Sequence, residues 1–215
     1  MTAERQFILA HTAPSRPPAC PELALHLASE ITPLWQATEA FLEQQNLAPP
    51  YWAFPWVGGQ ALARHILDNP ELVKGRRVLD FAAGCGIVAI AAARSGAQSV
   101  LAAEIDPMAL AAIALNAANN GVDVALTGEN VLERPDCPWD VVVAGDVCYE
   151  RPMAEKVFAW MRRCAREGAK VLMADPGRAY LPKTGLMRLG QMNVACSLEL
   201  EDRESREVGI YQIVG

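Results

Sequence analysis

Short apolar runs alternate with longer amphipathic segments from residue 77 onward. The apolar runs predict strands at residues 77–81, 98–105, 122–128, 139–146 and 169–175, and the amphipathic segments predict helices at 87–96, 107–121 and 153–168. Buried apolar strands that alternate with such helices are typical of a parallel sheet covered on both faces. The pattern therefore predicts an α/β fold built on a mostly parallel sheet.

The end of the chain follows a different pattern. Two apolar segments, NVACSLELE (193–201) and VGIYQIVG (208–215), flank the charged sequence DRESRE. Two strand-like segments joined by a short polar connection are typical of a β-hairpin. We therefore expect a C-terminal antiparallel hairpin closing one edge of the sheet.

The segment before residue 77 is less regular. Alternating leucines in PELALHLAS (21–29) favour a strand, and TPLWQATEAFLEQQN (32–46) begins like a helix, with Thr32 as the cap and Pro33 at the first position. Four aromatic residues follow within PPYWAFPW (49–56), and Gly58 and Gly59 lead into another helix. This organisation predicts an N-terminal extension over residues 1–60 and one domain over residues 61–215.

Composition and charge narrow the class of protein. With 215 residues, 52% of them hydrophobic, the chain can bury one sizeable core. No apolar run approaches the roughly 20 residues that span a bilayer, and the N-terminal segment lacks the apolar stretch of a secretory signal. The net charge of −6 disfavours a nucleic-acid-binding role. We therefore expect no membrane or nucleic-acid partner and a cytoplasmic location, or the mitochondrial matrix if the source is eukaryotic.

The cysteines argue against a metal centre. None of the six belongs to a C-x-x-C pair, and none is near a histidine in sequence. Neither a zinc site nor a disulfide framework is indicated. We expect no metal, and reduced thiols as found in a cytosol-like compartment.

The glycine turn in VLDFAAGCGIVAI (78–90) marks a candidate cofactor site that fits two cofactors. Gly84, Gly86 and Ala89 satisfy the dinucleotide pattern G-x-G-x-x-G/A, and Glu104, 20 residues after Gly84, is the acid expected at the ribose. The same residues also suit a nucleoside that carries no pyrophosphate. The glycines alone leave both cofactors open.

Asp80 favours the second cofactor. With Asp80 four residues before Gly84, the sequence LDFAAGCG resembles motif I of the class I S-adenosylmethionine methyltransferases. A carboxylate there suits the cationic amino-acid tail of S-adenosylmethionine and would repel a phosphate at the helix N-terminus. The alternative role of Asp80 is to cap the turn through a backbone hydrogen bond.

Two further residues are candidates for holding the nucleoside. Glu104 ends the second predicted strand of the domain, where its carboxylate can accept hydrogen bonds from both ribose hydroxyls. Asp106 competes for this role, but the Asp106-Pro107 pair predicts a helix cap instead. Asn130 follows the third strand, where methyltransferases of this fold place a polar residue against the adenine amino group, and a loop-capping role for Asn130 is the alternative.

Chemistry is predicted at the end of the fourth strand. The sequence WDVVVAGDVCYE places Asp146 and Tyr149 at the carboxyl edge, where open α/β sheets bind their ligands. This D-x-x-Y resembles the motif of the family 16 protein lysine methyltransferases. Methyltransferases that act on nucleic-acid amino groups carry Asn/Asp-Pro-Pro-Tyr there, and Val147 and Cys148 replace both prolines. A nucleic-acid substrate is therefore disfavoured.

The aromatic run makes the resemblance more specific. PPYWAFPWVGGQALARHILDNP and GDVCYE together resemble the family 16 enzymes that methylate lysines of the electron transfer flavoprotein β-subunit, over residues 21–177. Val57 departs from the proline that this family often has before the double glycine. The resemblance implies a seven-stranded Rossmann-like methyltransferase fold, with the extension capping cofactor and substrate. It also implies S-adenosylmethionine as the cofactor and that flavoprotein subunit as the protein partner.

The resemblance also assigns roles to residues. The cofactor is expected to contact Trp56, Gly59, Asp80, Gly84, Cys85, Gly86, Glu104, Asn130 and Asp146. The substrate is expected to contact Trp52 and Tyr149, with Asp146 and Tyr149 as the catalytic pair. The alternatives are methylation of another protein, such as a ribosomal protein, or of a small amine. A nicotinamide-dependent oxidoreductase and a non-catalytic binding module fit the residues less well.

Overall fold

A seven-stranded sheet forms the centre of the fold. The computed structural model describes residues 2–28 and 49–215. Its strands are β3 (Arg77–Phe81), β4 (Ser99–Ala103), β5 (Ala125–Thr127), β6 (Val141–Gly145), β7 (Lys170–Asp175), β8 (Leu186–Ala195) and β9 (Ser205–Ile213). They lie in the order β5-β4-β3-β6-β7-β9-β8 across the sheet. Strands β3 to β7 pair in parallel, while β9 pairs antiparallel with both β7 and β8, so the predicted mostly parallel sheet with its antiparallel edge is confirmed.

Helices cover both faces of this sheet. The described helices are α1 (Ala3–His11), α2 (Val57–Asp68), α3 (Ile87–Arg94), α4 (Pro107–Asn119), α5 (Arg151–Arg166) and the short α6 (Leu198–Glu201). Alternate strand residues point to opposite faces, so Val78 lies in the core with α2, α3 and α4, whereas its neighbour Leu79 lies in the core with α5. Burial on both faces explains why the central strands read as continuous apolar runs.

The N-terminal region adds a second, small sheet. Strand β1 (Ala13–Ser15) pairs antiparallel with β2 (Leu25–Leu27), which lies within the predicted strand at 21–29. Helix α1, which the sequence pattern did not predict, buries Ile8 in a cluster with Trp52 and residues of α4. The helix predicted at 32–46 lies outside the described residues. Helix α2 runs across residue 60, so the boundary predicted between extension and domain falls within a helix.

The C-terminal hairpin forms with other bounds than predicted. Strand β8 begins at Leu186, seven residues before the predicted start, and residues 198–201 of the predicted strand form helix α6. The prediction of a strand through residue 201 is therefore wrong. Ser197 accounts for the change, because its hydroxyl accepts a hydrogen bond from the N–H of Leu200 and so caps a helical turn.

Candidate active site

A cavity of about 780 Å³ opens at the carboxyl edge of the parallel strands. Its walls contain seven of the predicted site residues, namely Trp52, Trp56, Gly84, Glu104, Asn130, Asp146 and Tyr149. Four others, Gly59, Asp80, Cys85 and Gly86, lie next to the cavity but not on its described wall. Parallel strands end at the same edge, which brings together Gly84, Glu104, Asn130, Asp146 and Tyr149. Trp52 and Trp56 reach the cavity from the segment before α2.

The glycine turn forms one wall of the cavity. Gly84 lines it with φ of 54°, and a Cβ placed at Gly84 would meet no described atom within 4 Å. Gly86 also has a positive φ, 79°, but a Cβ there would lie 2.9 Å from Ile113 Cγ2, so Gly86 is required for packing against α4. The turn therefore leaves open space at Gly84, whereas Cys85 and Gly86 are buried and do not line the cavity.

Asp80 lies beneath this turn. Its side chain is 1% exposed, and its Oδ2 accepts a hydrogen bond of 2.8 Å from the N–H of Ala89. Burial raises the pKa of Asp80 to about 8, against the lowering effect of that N–H. The geometry gives Asp80 the capping role, the alternative noted from the sequence. Direct contact between Asp80 and the cofactor stays a prediction.

Glu104 lies at the end of β4 and faces the glycine turn. Its Oε2 accepts from the N–H of Gly84 at 3.1 Å, and its Oε1 accepts from the N–H of Ile105 at 2.8 Å. Burial raises the pKa of Glu104, although these backbone donors oppose the shift. The predicted cap at Asp106 is confirmed, because Asp106 Oδ1 accepts from the N–H of Met108 at 2.8 Å. Glu104 is thus fixed in position at the cavity wall.

Asn130 has the loop-capping role considered from the sequence and also lies on the cavity wall, while its contact with adenine stays a prediction. It lines the cavity and also caps the short helical turn Val131–Glu133, with its Oδ1 accepting from the N–H of Leu132 at 3.3 Å. Its Nδ2 donates to Glu133 Oε1 at 2.8 Å. The amide of Asn130 is therefore oriented by its own loop while it lies on the cavity wall.

Asp146 is the most constrained acidic residue on the wall. Its φ is 57°, a left-handed conformation that aspartate tolerates better than most residues. The residue is 8% exposed, and its Oδ2 accepts from the N–H of Gly59 at 3.1 Å. Burial raises the pKa of Asp146 to about 6, although the Arg178 guanidinium opposes the shift.

Arg178 is a site residue that the sequence analysis did not identify. Its Nη2 and Nε donate to Asp146 Oδ1 at 2.7 and 3.1 Å, and Nη2 also donates to Glu201 Oε1 at 2.7 Å. Its guanidinium lies 5.6 Å from the centroid of the Trp56 ring. Burial opposes the charge on Arg178, but Asp146 and Glu201 outweigh this effect and raise its pKa. The sequence held one signal for Arg178, since it follows the carboxyl end of β7 in Asp-Pro-Gly-Arg.

Aromatic side chains also line the cavity. The indole N–H of Trp56 donates to the carbonyl of Tyr51 at 2.9 Å, and the Tyr51 ring lies 6.0 Å from the ring of Tyr149. Tyr149 is 48% exposed, and burial of the remainder raises its pKa, so the phenol is protonated at neutral pH. Trp52 lines the cavity too, but only 3% of it is exposed because it packs against α1 and α4.

Over residues 2–28 and 49–215, no group of three or more histidine, cysteine, aspartate or glutamate side chains could hold a metal ion. Across the same two ranges, no helix is long and apolar enough to cross a membrane.

The fold of this protein is that of the class I S-adenosylmethionine methyltransferases. The family model of ribosomal protein L11 methyltransferase (PrmA) matches residues 61–147. Among solved structures, a putative RNA methyltransferase from Pyrococcus horikoshii superposes with a TM-score of 0.57, covering 84% of this chain and 99% of that one at 14% identity. At this identity the likeness concerns the fold alone.

Curated relatives define the particular family. The chain is 42% identical over 189 residues to the electron transfer flavoprotein β-subunit lysine methyltransferase of Xenopus laevis, covering 87% of this chain and 76% of that protein. It is 41% identical over 163 residues to the human protein of that name, covering 74% of this chain and 60% of the relative. The chain belongs to the family of electron transfer flavoprotein β-subunit lysine methyltransferases. It spans about three fifths of the length of the human relative.

Proposed function

We propose that this protein transfers methyl groups from S-adenosylmethionine to lysines of the electron transfer flavoprotein β-subunit. The observation that carries the proposal is the position of the Asp146 carboxylate, which lies on the wall of the cavity that Gly84, Glu104, Tyr51 and Tyr149 also line. The name of the relatives, which are 42% and 41% identical, supports the choice of substrate.

The cavity suits the chemical groups of the cofactor. Carboxylate and amide oxygens accept hydrogen bonds from hydroxyl and amino groups, and the cavity presents Glu104 and Asn130 for the ribose and adenine. The open space at Gly84 leaves room for a ligand against the turn. When bound, S-adenosylmethionine supplies the electrophilic methyl group.

The chain's own residues would prepare the lysine. A lysine with an ordinary pKa of about 10.4 is protonated at neutral pH and cannot act as a nucleophile. Entry into the cavity alongside the rings of Tyr51 and Tyr149 would strip water from the amine and lower its pKa. The side chains around the cavity then have mainly to align the amine, since correct orientation alone lowers the barrier substantially.

Asp146 would align this amine as a hydrogen-bond acceptor. A carboxylate has about four acceptor positions, and the described contacts occupy two on Oδ1 and one on Oδ2. One position on Oδ2 is left for an amine. Because Arg178 and the N–H of Gly59 both stabilise the anion, orientation of the amine is a better role for Asp146 than acceptance of its proton.

The charge of the protein supports a basic substrate surface. The net charge is −6, and the cavity wall includes Glu129 and Glu150 in addition to the acidic residues discussed above. Opposite charges favour encounter with a lysine-bearing surface and disfavour nucleic acid. We propose a cytoplasmic location, or the mitochondrial matrix in a eukaryote, which is supported by the six cysteines being free thiols.

A second candidate is methylation of a ribosomal protein. It is supported by the match of residues 61–147 to the ribosomal protein L11 methyltransferase model. This match covers the cofactor side of the cavity, including Glu104 and Asn130, but ends before Tyr149. It is therefore weaker evidence about the substrate than the longer matches to the flavoprotein enzymes.

The experiment compares the two candidate substrates. The protein is incubated with labelled S-adenosylmethionine and either recombinant electron transfer flavoprotein or ribosomal protein L11, and labelled residues are mapped by mass spectrometry. The Asp146→Asn variant serves as the negative control. We expect label on lysines of the flavoprotein β-subunit. Label on the ribosomal protein or on a small amine, with the flavoprotein unlabelled, would overturn the proposal.

A further inference from the structure

Arg178 reaches the active site through a tight turn after β7. The Oδ1 atom of Asp175 accepts hydrogen bonds from the N–H groups of Gly177 at 2.7 Å and of Arg178 at 2.6 Å. Gly177 has a φ of 84°, which is readily available only to glycine. The Asp-Pro-Gly turn thereby directs the Arg178 side chain back toward the end of β6.

The guanidinium connects three elements that meet beside the cavity wall. It binds Asp146 beyond β6 and Glu201 on α6, and it lies over the ring of Trp56, the residue before α2. Its side chain is 19% exposed, and those of Asp146 and Glu201 are 9% and 2% exposed. The poor exposure of all three groups makes their mutual contacts stronger than those of surface ion pairs.

We propose that Arg178 is a positioning residue for methyl transfer, which holds the Asp146 carboxylate in the charged and oriented form that binds an amine. This inference rests on the function proposed above. Arg178 itself acts through Asp146 and requires no contact with the methyl group.

The hydrogen-bond geometry explains how Arg178 would act. Both of its donors to Asp146 go to Oδ1, and the N–H of Gly59 goes to Oδ2. These three hydrogen bonds fix the plane of the carboxylate and leave one acceptor position on Oδ2 without a described partner. Lysine at position 178 would supply charge but not a planar pair of donors, so it would orient the carboxylate less well.

The charges near Asp146 explain why an arginine is needed. Two further acidic groups face it, Asp175 at the end of β7 and Glu201 on α6, and both raise its pKa. Helix α2 offers only the N–H of Gly59, and Arg178 is the positive charge that lowers the pKa of Asp146. Arg206 also pairs with Glu201, at 3.3 Å, but makes no described contact with Asp146. Without Arg178, Asp146 would lie near Asp175 and Glu201 in a poorly hydrated region with no cation bound to it, and it would take up a proton.

The direct test measures the pKa of Asp146 in the protein without ligands. The ¹³C signal of the Asp146 carboxyl is assigned by its loss in Asp146→Asn and is followed against pH in the wild type and in Arg178→Met. We expect the titration to move upward by about 1 to 3 pH units in Arg178→Met. Arg188→Met, which removes an arginine on β8 that pairs with Glu207, should leave it unchanged.

The functional test follows the pH dependence of S-adenosylhomocysteine affinity and of methyl transfer. A group that must be ionised loses its function as the pH falls through its pKa, so the acid limb of at least one profile should move to higher pH in Arg178→Met. In Arg178→Lys, the acid limb should return close to its wild-type pH, whereas the maximal rate should stay below that of the wild type.

These outcomes separate a positioning role from simple destabilisation. Loss of folded protein would scale activity down equally at all pH values, and an unchanged titration of Asp146 in folded Arg178→Met or, if that variant does not fold, in Arg178→Gln would overturn the proposal. The titration and the binding profile need no protein substrate. They therefore remain decisive if the flavoprotein proves not to be methylated.

Discussion

The backbone of Gly58 lies against the carboxylate of Asp146. A Cβ at Gly58 would be 2.5 Å from Asp146 Oδ2 and 2.7 Å from the carbonyl oxygen of Ala174. On the other side of this contact, a Cβ at Gly145 would be 2.6 Å from the backbone nitrogen of Gly59. The double glycine before the helix and the Gly-Asp pair after the strand thus allow α2 to touch the end of β6.

Gly58→Ala should therefore destabilise the protein and impair the site. The added methyl cannot be accommodated next to a backbone carbonyl without movement of α2, and overpacking of this kind costs about 1–3 kcal/mol. We expect a lower free energy of unfolding in chemical denaturation and weaker S-adenosylhomocysteine binding.

Gly59→Ala is the matched control on the same helix. Its Cβ would meet only Ile87 Cγ2, at 3.3 Å, a side-chain atom that can shift. Alanine also favours a helix by about 1 kcal/mol over glycine. The stability of Gly59→Ala should stay near that of the wild type, and equal losses in the two variants would contradict the packing argument.

Asp146→Asn should abolish most methyl transfer while the fold survives. The amide retains the shape of the carboxylate but loses its charge, and removal of one preorganised electrostatic contact typically costs about 10²–10³-fold in turnover. The matched control is Asp140→Asn at the opposite end of β6, which pairs with Arg77 far from the cavity. Initial rates with saturating cofactor would decide, and a wild-type rate in Asp146→Asn would exclude the proposed role.

Glu104→Ala should weaken cofactor binding. Loss of a charged hydrogen-bond partner costs about 1.5–3 kcal/mol, and Glu104 also holds the N–H of Gly84 in the glycine turn. Calorimetry with S-adenosylhomocysteine measures the change. Asp106→Ala should instead cost mainly stability, about 1 kcal/mol, through loss of the α4 cap. Unchanged affinity in folded Glu104→Ala would contradict the assignment.

Asp80 should make the protein less stable as the pH rises. Burial raises its folded-state pKa to about 8 from an ordinary 3.8. Between these pH values the folded state binds more protons than the unfolded state, so the free energy of unfolding falls with rising pH. Chemical denaturation between about pH 5 and pH 8 should show a shallower decline in Asp80→Asn than in the wild type.

Asp140→Asn is the control for the Asp80 measurement, because the pKa of Asp140 is lowered and not raised. Hydrogen bonds from Arg77 lower the pKa of Asp140 to about 2, so its stabilising effect is lost only as the pH falls below its ordinary range. This variant should not change the slope between pH 5 and pH 8. Equal slopes in the wild type and Asp80→Asn would show that Asp80 is ionised in the folded protein throughout that range.

The parallel core could be predicted because each strand has a local signal. Residues of β3 and β6 are buried on both faces, so β6 is a continuous apolar run and the apolar run of β3 is interrupted only by Asp80. Edge strand β8 lacks such a signal, since most of its side chains are exposed, including Met187 and Leu189. Helix α1 was missed for a related reason, because only Ile8 among its residues is buried.

The candidate site was predictable only where chemistry follows a recognisable motif. Glu104, Asp146 and Tyr149 end predicted strands or follow them closely, and all three lie on the cavity wall. The contact between Asp146 and Arg178 joins residues 32 positions apart and depends on the pairing of β6 with β7. No sequence pattern predicts that contact, so it can be seen only in the folded structure.

Trp56 has a consequence for altering what the protein accepts. Of the described residues, it alone lines both the main cavity and a smaller one of about 330 Å³ bounded by β2, α2 and the segment before α6. The indole therefore acts as a partition between two chambers, held by one backbone carbonyl and one guanidinium. Exchange of this side chain for a small one would join the chambers and provide space for cofactor analogues with bulky substituents, which the native wall would reject.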